Sequence, residues 1–177
     1  MPPNIQSTYT EGDIITVEVL ITTHHKGHFV FSACPIIATS LEYGSKQPDN
    51  QHPTQECFDQ YKLTLVEDTL YNANIDRRFP ERIYLAPASV LQWANEGPSI
   101  QPVTGAKYKL QLQLPKGLHG EVVLLQWYYL TANSCKHVGY DMYDWPSEWG
   151  GDVLLYDRLP DCVDVHPSGN GVPEQFW

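Results

Sequence analysis

The chain has 177 residues, with 11 Lys and Arg against 21 Asp and Glu, a formal net charge of −10. That length suits one domain with its own core, and 42% hydrophobic against 18% charged residues excludes wholesale disorder. The acidic balance excludes a general phosphate-backbone binder, the longest apolar runs (Val122–Leu125 and Val153–Tyr156) are too short to span a bilayer, and 14 Pro with 12 Gly argue against a helix bundle.

Met1-Pro2-Pro3-Asn4 has neither a basic nor an apolar leader region, so no signal peptide is expected within this chain. Asp13–Thr23 then alternates, with Ile15, Val17, Val19 and Ile21 on one side. Period two in β-branched residues predicts a strand. His24-His25-Lys26-Gly27 interrupts it, and His28–Ala33 resumes an extended pattern. Cys34 to Thr54 is rich in Pro, Gly, Asn and Ser and reads as a long loop. Gln60–Val66 and Arg82–Leu85 are candidate short strands, and Pro87–Asn95 is the best short-helix candidate. Lys107–Leu114 alternates with Tyr108, Leu110, Leu112 and Leu114 inward, and Glu121–Thr131 is apolar on both sides, as a central strand is. Between Ser134 and Ser168 only Val153–Tyr156 reads as a strand, and Glu174–Trp177 looks like a strand just beginning. Short strands, turn-rich joints and almost no helix predict an all-β, antiparallel sandwich with long loops, formed by residues 1–177 as a single domain.

The four cysteines show no C-x-x-C spacing, which argues against a structural zinc site. Of the three pairings, Cys34–Cys57 with Cys135–Cys162 is favoured, because each closes one turn-rich segment. Each bond would contribute about 3 kcal/mol by loop entropy. The alternative is four buried thiols. Paired cysteines imply an oxidising, extracellular compartment.

Two clusters carry residue types suited to chemistry. His24, His25 and His28 crowd into five positions. On extended backbone, His24 and His25 point to opposite faces, so one at most serves any given site. The cluster reads either as a polar turn between strands or as a source of imidazole for copper or zinc. The segment Gly139–Trp149 interleaves Tyr140, Tyr143, Trp145 and Trp149 with Asp141, Asp144 and Glu148. Rings beside acids suit stacking on sugars with hydrogen bonds to hydroxyls. The same pattern equally suits a loop folded back on its own aromatics as a satellite core. Nothing indicates a carboxylate pair flanking a cleft, and no nucleotide-binding or serine-hydrolase motif is present.

The run Ile21-Thr22-Thr23-His24-His25-Lys26-Gly27-His28-Phe29-Val30-Phe31, followed by Cys34-Pro35, resembles the second-histidine segment of chitin-binding type-4 domains, the lytic polysaccharide monooxygenases of bacterial, viral and animal type. Thr54–Asp59, Val123–Trp127 through Thr131–Cys135, and Gly169–Phe176 resemble further segments of that family in the same order. The resemblance implies an immunoglobulin-like or fibronectin III-like sandwich. It also implies one copper ion held by a histidine brace, with His25 as the second histidine and Phe176 at the axial position. The implied activity is oxidative cleavage of crystalline chitin or cellulose at a flat surface. That surface would be supplied here by Tyr140, Tyr143, Trp145 and Trp149. The net charge of −10 favours neutral over anionic glycans.

The resemblance places the first brace histidine ahead of Met1 and a further stretch after Trp177, and Thr23 stands where alanine is common. The 177 residues are therefore expected to be a domain core with an incomplete copper site, secreted and monomeric. Insoluble polysaccharide would be the partner, with no nucleic acid or membrane. A non-catalytic polysaccharide-binding module and a structural extracellular protein are the alternatives.

Overall fold

A computed structural model describes residues 5–36, 53–96, 103–163 and 175–176. In chain order the elements are β1 (Ile14–Ile21), β2 (His28–Ile36), α1 (Gln55–Gln60), β3 (Thr64–Asp68), β4 (Arg82–Tyr84), β5 (Trp93–Glu96), β6 (Val103–Gln113), β7 (Val122–Leu130) and β8 (Gln175–Phe176). They form two antiparallel sheets. The first runs β1-β6-β3, with β5 pairing onto β6; the second runs β4-β2-β7-β8.

Alternation decides which side of each strand faces inward. Ile15 pairs with Leu112 and Ile21 with Ala106 across β1 and β6, and all four are buried. Ile14, on the other side of β1, is 54% exposed. In the second sheet Phe29 and Phe31 of β2 lie opposite Tyr129 and Trp127 of β7. Phe29 meets Tyr108 of the first sheet edge to face, with centroids 5.3 Å apart. Residues from both sheets thus close into one core, the antiparallel sandwich that the sequence predicts. As expected, Tyr108, Leu110, Leu112 and Leu114 are inward, and β7 is central, between β2 and β8.

Three local expectations are corrected. In place of a strand over Gln60–Val66, the chain has β3 from Thr64 and, before it, a helix over Gln55–Gln60. Thr54 caps it, its hydroxyl accepting from the Cys57 amide at 3.2 Å. The Cys34–Cys57 bond pins it to the outer side of β2 and β7, where Phe58 packs with Ile36 and Val122. Pro87–Asn95 forms a turn and then enters β5, not a helix, because pairing with β6 overrides weak helix propensity. Val153–Tyr156 lies in a 3₁₀ stretch, Ser147–Arg158, broken at Gly150.

Both favoured disulfides are present. The Cα atoms of Cys34 and Cys57 are 5.5 Å apart, and those of Cys135 and Cys162 are 4.9 Å apart. No cysteine among the described residues is free. No helix among the described residues is long and apolar enough to cross a membrane.

Candidate functional site

The turn between β1 and β2 is set by backbone constraints. Lys26 and Gly27 are consecutive left-handed residues, with φ of 56° and 88°. A Cβ on Gly27 would sit 2.0 Å from the Leu130 carbonyl oxygen, so only glycine permits this approach to the end of β7. Each backbone group here finds a partner on a different element. The Leu85 amide donates to the Gly27 carbonyl at 3.1 Å, and the Ala132 amide donates to the His25 carbonyl at 3.0 Å. The His25 amide donates to the Tyr129 hydroxyl at 2.8 Å.

With its backbone fixed, His25 presents a half-buried imidazole at the rim of the sandwich. Its Nδ1 lies 2.6 Å from the Asn133 side-chain amide. His24 turns the other way. Its Nδ1 accepts from the Lys26 amide at 3.4 Å, and burial holds the ring below its ordinary pKa, with the Ala86 backbone opposing that shift. His28 is buried in the second sheet, with Nδ1 2.6 Å from the Tyr140 hydroxyl and its ring edge-on to His137 at 5.0 Å. Burial, together with His137 and Arg82, pushes its pKa well down. His137 donates through Nε2 to the Thr131 carbonyl at 2.9 Å, and its pKa too is lowered by burial.

Phe176 pairs through its backbone with Tyr129, the residue whose hydroxyl receives the His25 amide. That brings the strand carrying Phe176 to the same end of the molecule. Its ring lies outside the described side chains. Among the described residues, no three His, Cys, Asp or Glu side chains converge as a metal site.

The aromatic segment is a correction. Tyr140, Tyr143 and Trp149 are buried, at 1%, 5% and 1% exposure, so they cannot lie against a polymer as the segment stands. They form the satellite core that was the other reading. Tyr143 stacks on Tyr84 with centroids 3.8 Å apart, and Trp145 meets Tyr143 edge-on at 4.7 Å. Their polar atoms are satisfied by backbone. The Tyr143 hydroxyl donates to the Asn74 carbonyl and the Trp149 indole to the Tyr71 carbonyl, each at 2.7 Å. Trp145 is half-buried, with Tyr84, Tyr140, Tyr143 and Trp149 all around its ring. Asp141, Asp144 and Glu148 are the exposed residues of the alternation, and Asp141 pairs with Lys136 at 2.7 Å.

Under this core, Asp76 accepts from the Tyr84 hydroxyl at 2.9 Å and from the Arg78 amide at 2.9 Å. Burial alone would raise its carboxyl. The bonds from Arg78 and Tyr84 outweigh that and hold it below the ordinary carboxylate range. A cavity of 690 Å³ opens beside it, lined by Asp68, Asp76, Tyr143 and Asp144 among others. None of residues 22–28 lines that cavity.

The family model described as lytic polysaccharide mono-oxygenase, cellulose-degrading, matches residues 2–176. The chain belongs to this family. Copper is the metal that membership implies. Among solved structures, the lytic polysaccharide monooxygenase AA15 from Thermobia domestica, in the Cu(I) state, is 24% identical with a TM-score of 0.43. The match covers 70% of this chain and 45% of that one, so the chain spans less than half the length of that protein. No curated protein matches.

The sequence reading missed Asn133 and Tyr129 as partners of His25. Both lie in segments it singled out, Tyr129 on the central strand and Asn133 just beyond it. Period and motif do not indicate which side chains turn toward the β1–β2 turn.

Proposed function

We propose that this protein is a copper-dependent polysaccharide monooxygenase acting at the surface of neutral, insoluble glycans such as chitin or cellulose. His25 would be a copper ligand, and Phe176 would lie beside the metal. The observation that carries the reading is the combination of family membership with a rim imidazole fixed through its own backbone. A metal would be taken through Nε2 of His25, with Nδ1 held by Asn133. Turning the Asn133 amide end for end sets its oxygen against an Nδ1 proton, the tautomer that metal ligation at Nε2 requires. The described residues fit one ligand of such a centre, and the rest of the brace is proposed to lie outside them. Bound copper would supply one-electron redox chemistry toward an oxygen co-substrate.

The backbone bonds that hold His25 at the rim suit a polymer lying across the end of the sandwich. Two disulfides support an extracellular site of action. A second reading is a polysaccharide-binding module without catalysis.

The test is copper titration of the full-length protein and its His25→Ala variant, followed by spin-resonance spectra and mass analysis of products from chitin and cellulose. His25→Ala is expected to abolish both the tight copper signal and oxidised products while leaving the fold intact. A wild-type protein that binds polymer but neither holds copper nor oxidises it would leave the binding module as the correct reading.

A further inference from the structure

We infer that Trp93 is a polymer-stacking residue of the same end of the sandwich, a role that the sequence reading assigned to other rings. The inference rests on the polysaccharide-active reading above. Trp93 is the one exposed tryptophan among the described residues, at 45%.

Its position follows from the topology. β4 pairs with β2 beside His28. From Tyr84 the chain crosses from the second sheet to the first over residues 85–92, and this crossing runs against the candidate site. The Leu85 amide donates to the Gly27 carbonyl at 3.1 Å. Val90 and Leu91 then pack onto the core, and the Gln92 amide donates to the Tyr71 hydroxyl at 3.2 Å. Trp93 enters β5 opposite Ala106, and Ala106 is also the partner of Ile21, the last residue of β1. Two strand spacings of about 4.8 Å separate the backbones of Trp93 and Ile21. The 22–27 turn that carries His25 leaves directly from Ile21.

Trp93 and the start of the turn that carries His25 therefore lie at the same end of the first sheet. No ring contact ties the indole to another described residue. An exposed indole offers a large rigid apolar face to the apolar face of a pyranose, with little side-chain entropy to lose. A neutral polymer meets no electrostatic barrier on a chain of net charge −10. Of the four rings predicted for this task, Tyr140, Tyr143 and Trp149 are unavailable to it because they are buried, and Trp145 is half-buried among them.

The experiment measures depletion of the full-length protein from solution by microcrystalline chitin and by cellulose, for wild type, Trp93→Ala and Trp93→Phe. Circular dichroism and thermal unfolding monitor the fold. Trp93→Ala is expected to lower the partition onto polymer by about fivefold, with Trp93→Phe, which keeps an apolar ring on β5, recovering most of it. Equal depletion of folded wild type and folded Trp93→Ala would overturn the inference and leave the proposed function standing. A folded wild type that neither polymer depletes would overturn the proposed function, and this inference with it.

Discussion

Residues 22–27 and residues 139–149 both carry the side chains of a binding site, yet the fold holds the first at the rim and buries much of the second. At the rim, backbone groups consume the hydrogen-bonding partners. Tyr129, Ala132 and Leu85 satisfy His25 and Gly27 through main-chain atoms, which leaves the imidazole to be presented. In the aromatic segment the side chains consume them. The Tyr143 hydroxyl and the Trp149 indole reach carbonyls of residues 74 and 71, so their rings can be buried without an unsatisfied polar atom. Gly139, at φ 93°, starts that segment, and a Cβ there would lie 2.5 Å from the Phe79 ring. Residue type alone does not separate the two regions. Where their polar atoms find partners does.

The largest effect should come from removing a ring that the comparison places in the core. Trp149→Ala deletes a side chain only 1% exposed and leaves the Tyr71 carbonyl without its donor. Loss of a buried tryptophan costs about 3–5 kcal/mol, and denaturant unfolding should show a shift of that order. A loss under about 1 kcal/mol would mean that the segment is a mobile surface after all and would reopen its use as a sugar platform.

The two regions also differ in what the sequence discloses. The strands were legible because one side of each is buried. Ile15 and Ile21 against Ile14, or Tyr108, Leu110 and Leu112 along β6, repeat a period of two that only a half-buried strand produces. The six residues of α1 are too few to display a helical period, and its anchors are a threonine cap and a disulfide. Pro87–Asn95 misled because its fate depends on a partner strand ten residues downstream. A motif match is what singles out His25. The partners that fix it, Tyr129 and Asn133, depend on which end of β7 meets the turn, a tertiary fact absent from local pattern. Trp93 went unnoticed because one ring next to a turn carries no periodic signal.

A second measurement probes the boundary between the regions, where His28 sits. It is buried against the Tyr140 hydroxyl from the aromatic segment, His137 from the preceding loop, and Tyr84 and Arg82 from β4. Burial, then the neighbouring His137 and Arg82, depress its pKa. The folded state thus keeps His28 neutral, while the unfolded chain binds a proton near pH 6.5. Its contribution to stability is complete above about pH 6.5 and is lost as pH falls below that toward the folded-state pKa. Thermal unfolding from pH 8 to pH 4.5 should show wild type losing stability on the acid side. His28→Phe is expected to start from a lower value, having lost the bond to Tyr140, and to fall less steeply. Its slope would not vanish, because His24 and His137 shift in the same direction. Parallel curves for the two proteins would show that acid sensitivity lies elsewhere.

The smallest effect sharpens the rim. Tyr129→Phe keeps the ring against Phe29, where the centroids are 5.1 Å apart, and removes only the hydroxyl that accepts the His25 amide at 2.8 Å. Leaving a partly buried amide unsatisfied costs about 1–2 kcal/mol, so global stability should fall by an amount near the lower limit of easy measurement. The position of His25 should be affected more than the fold, since that hydroxyl and the Ala132 amide both hold its backbone. If His25 ligates copper, loosening a residue that supports a ligand weakens metal affinity by about tenfold or more. Copper titration of Tyr129→Phe would then show weaker binding beside near-normal unfolding. Loss of stability with copper affinity untouched would place the metal's anchor away from His25. In that case the contrast between an exposed functional rim and a buried aromatic core would hold for packing alone.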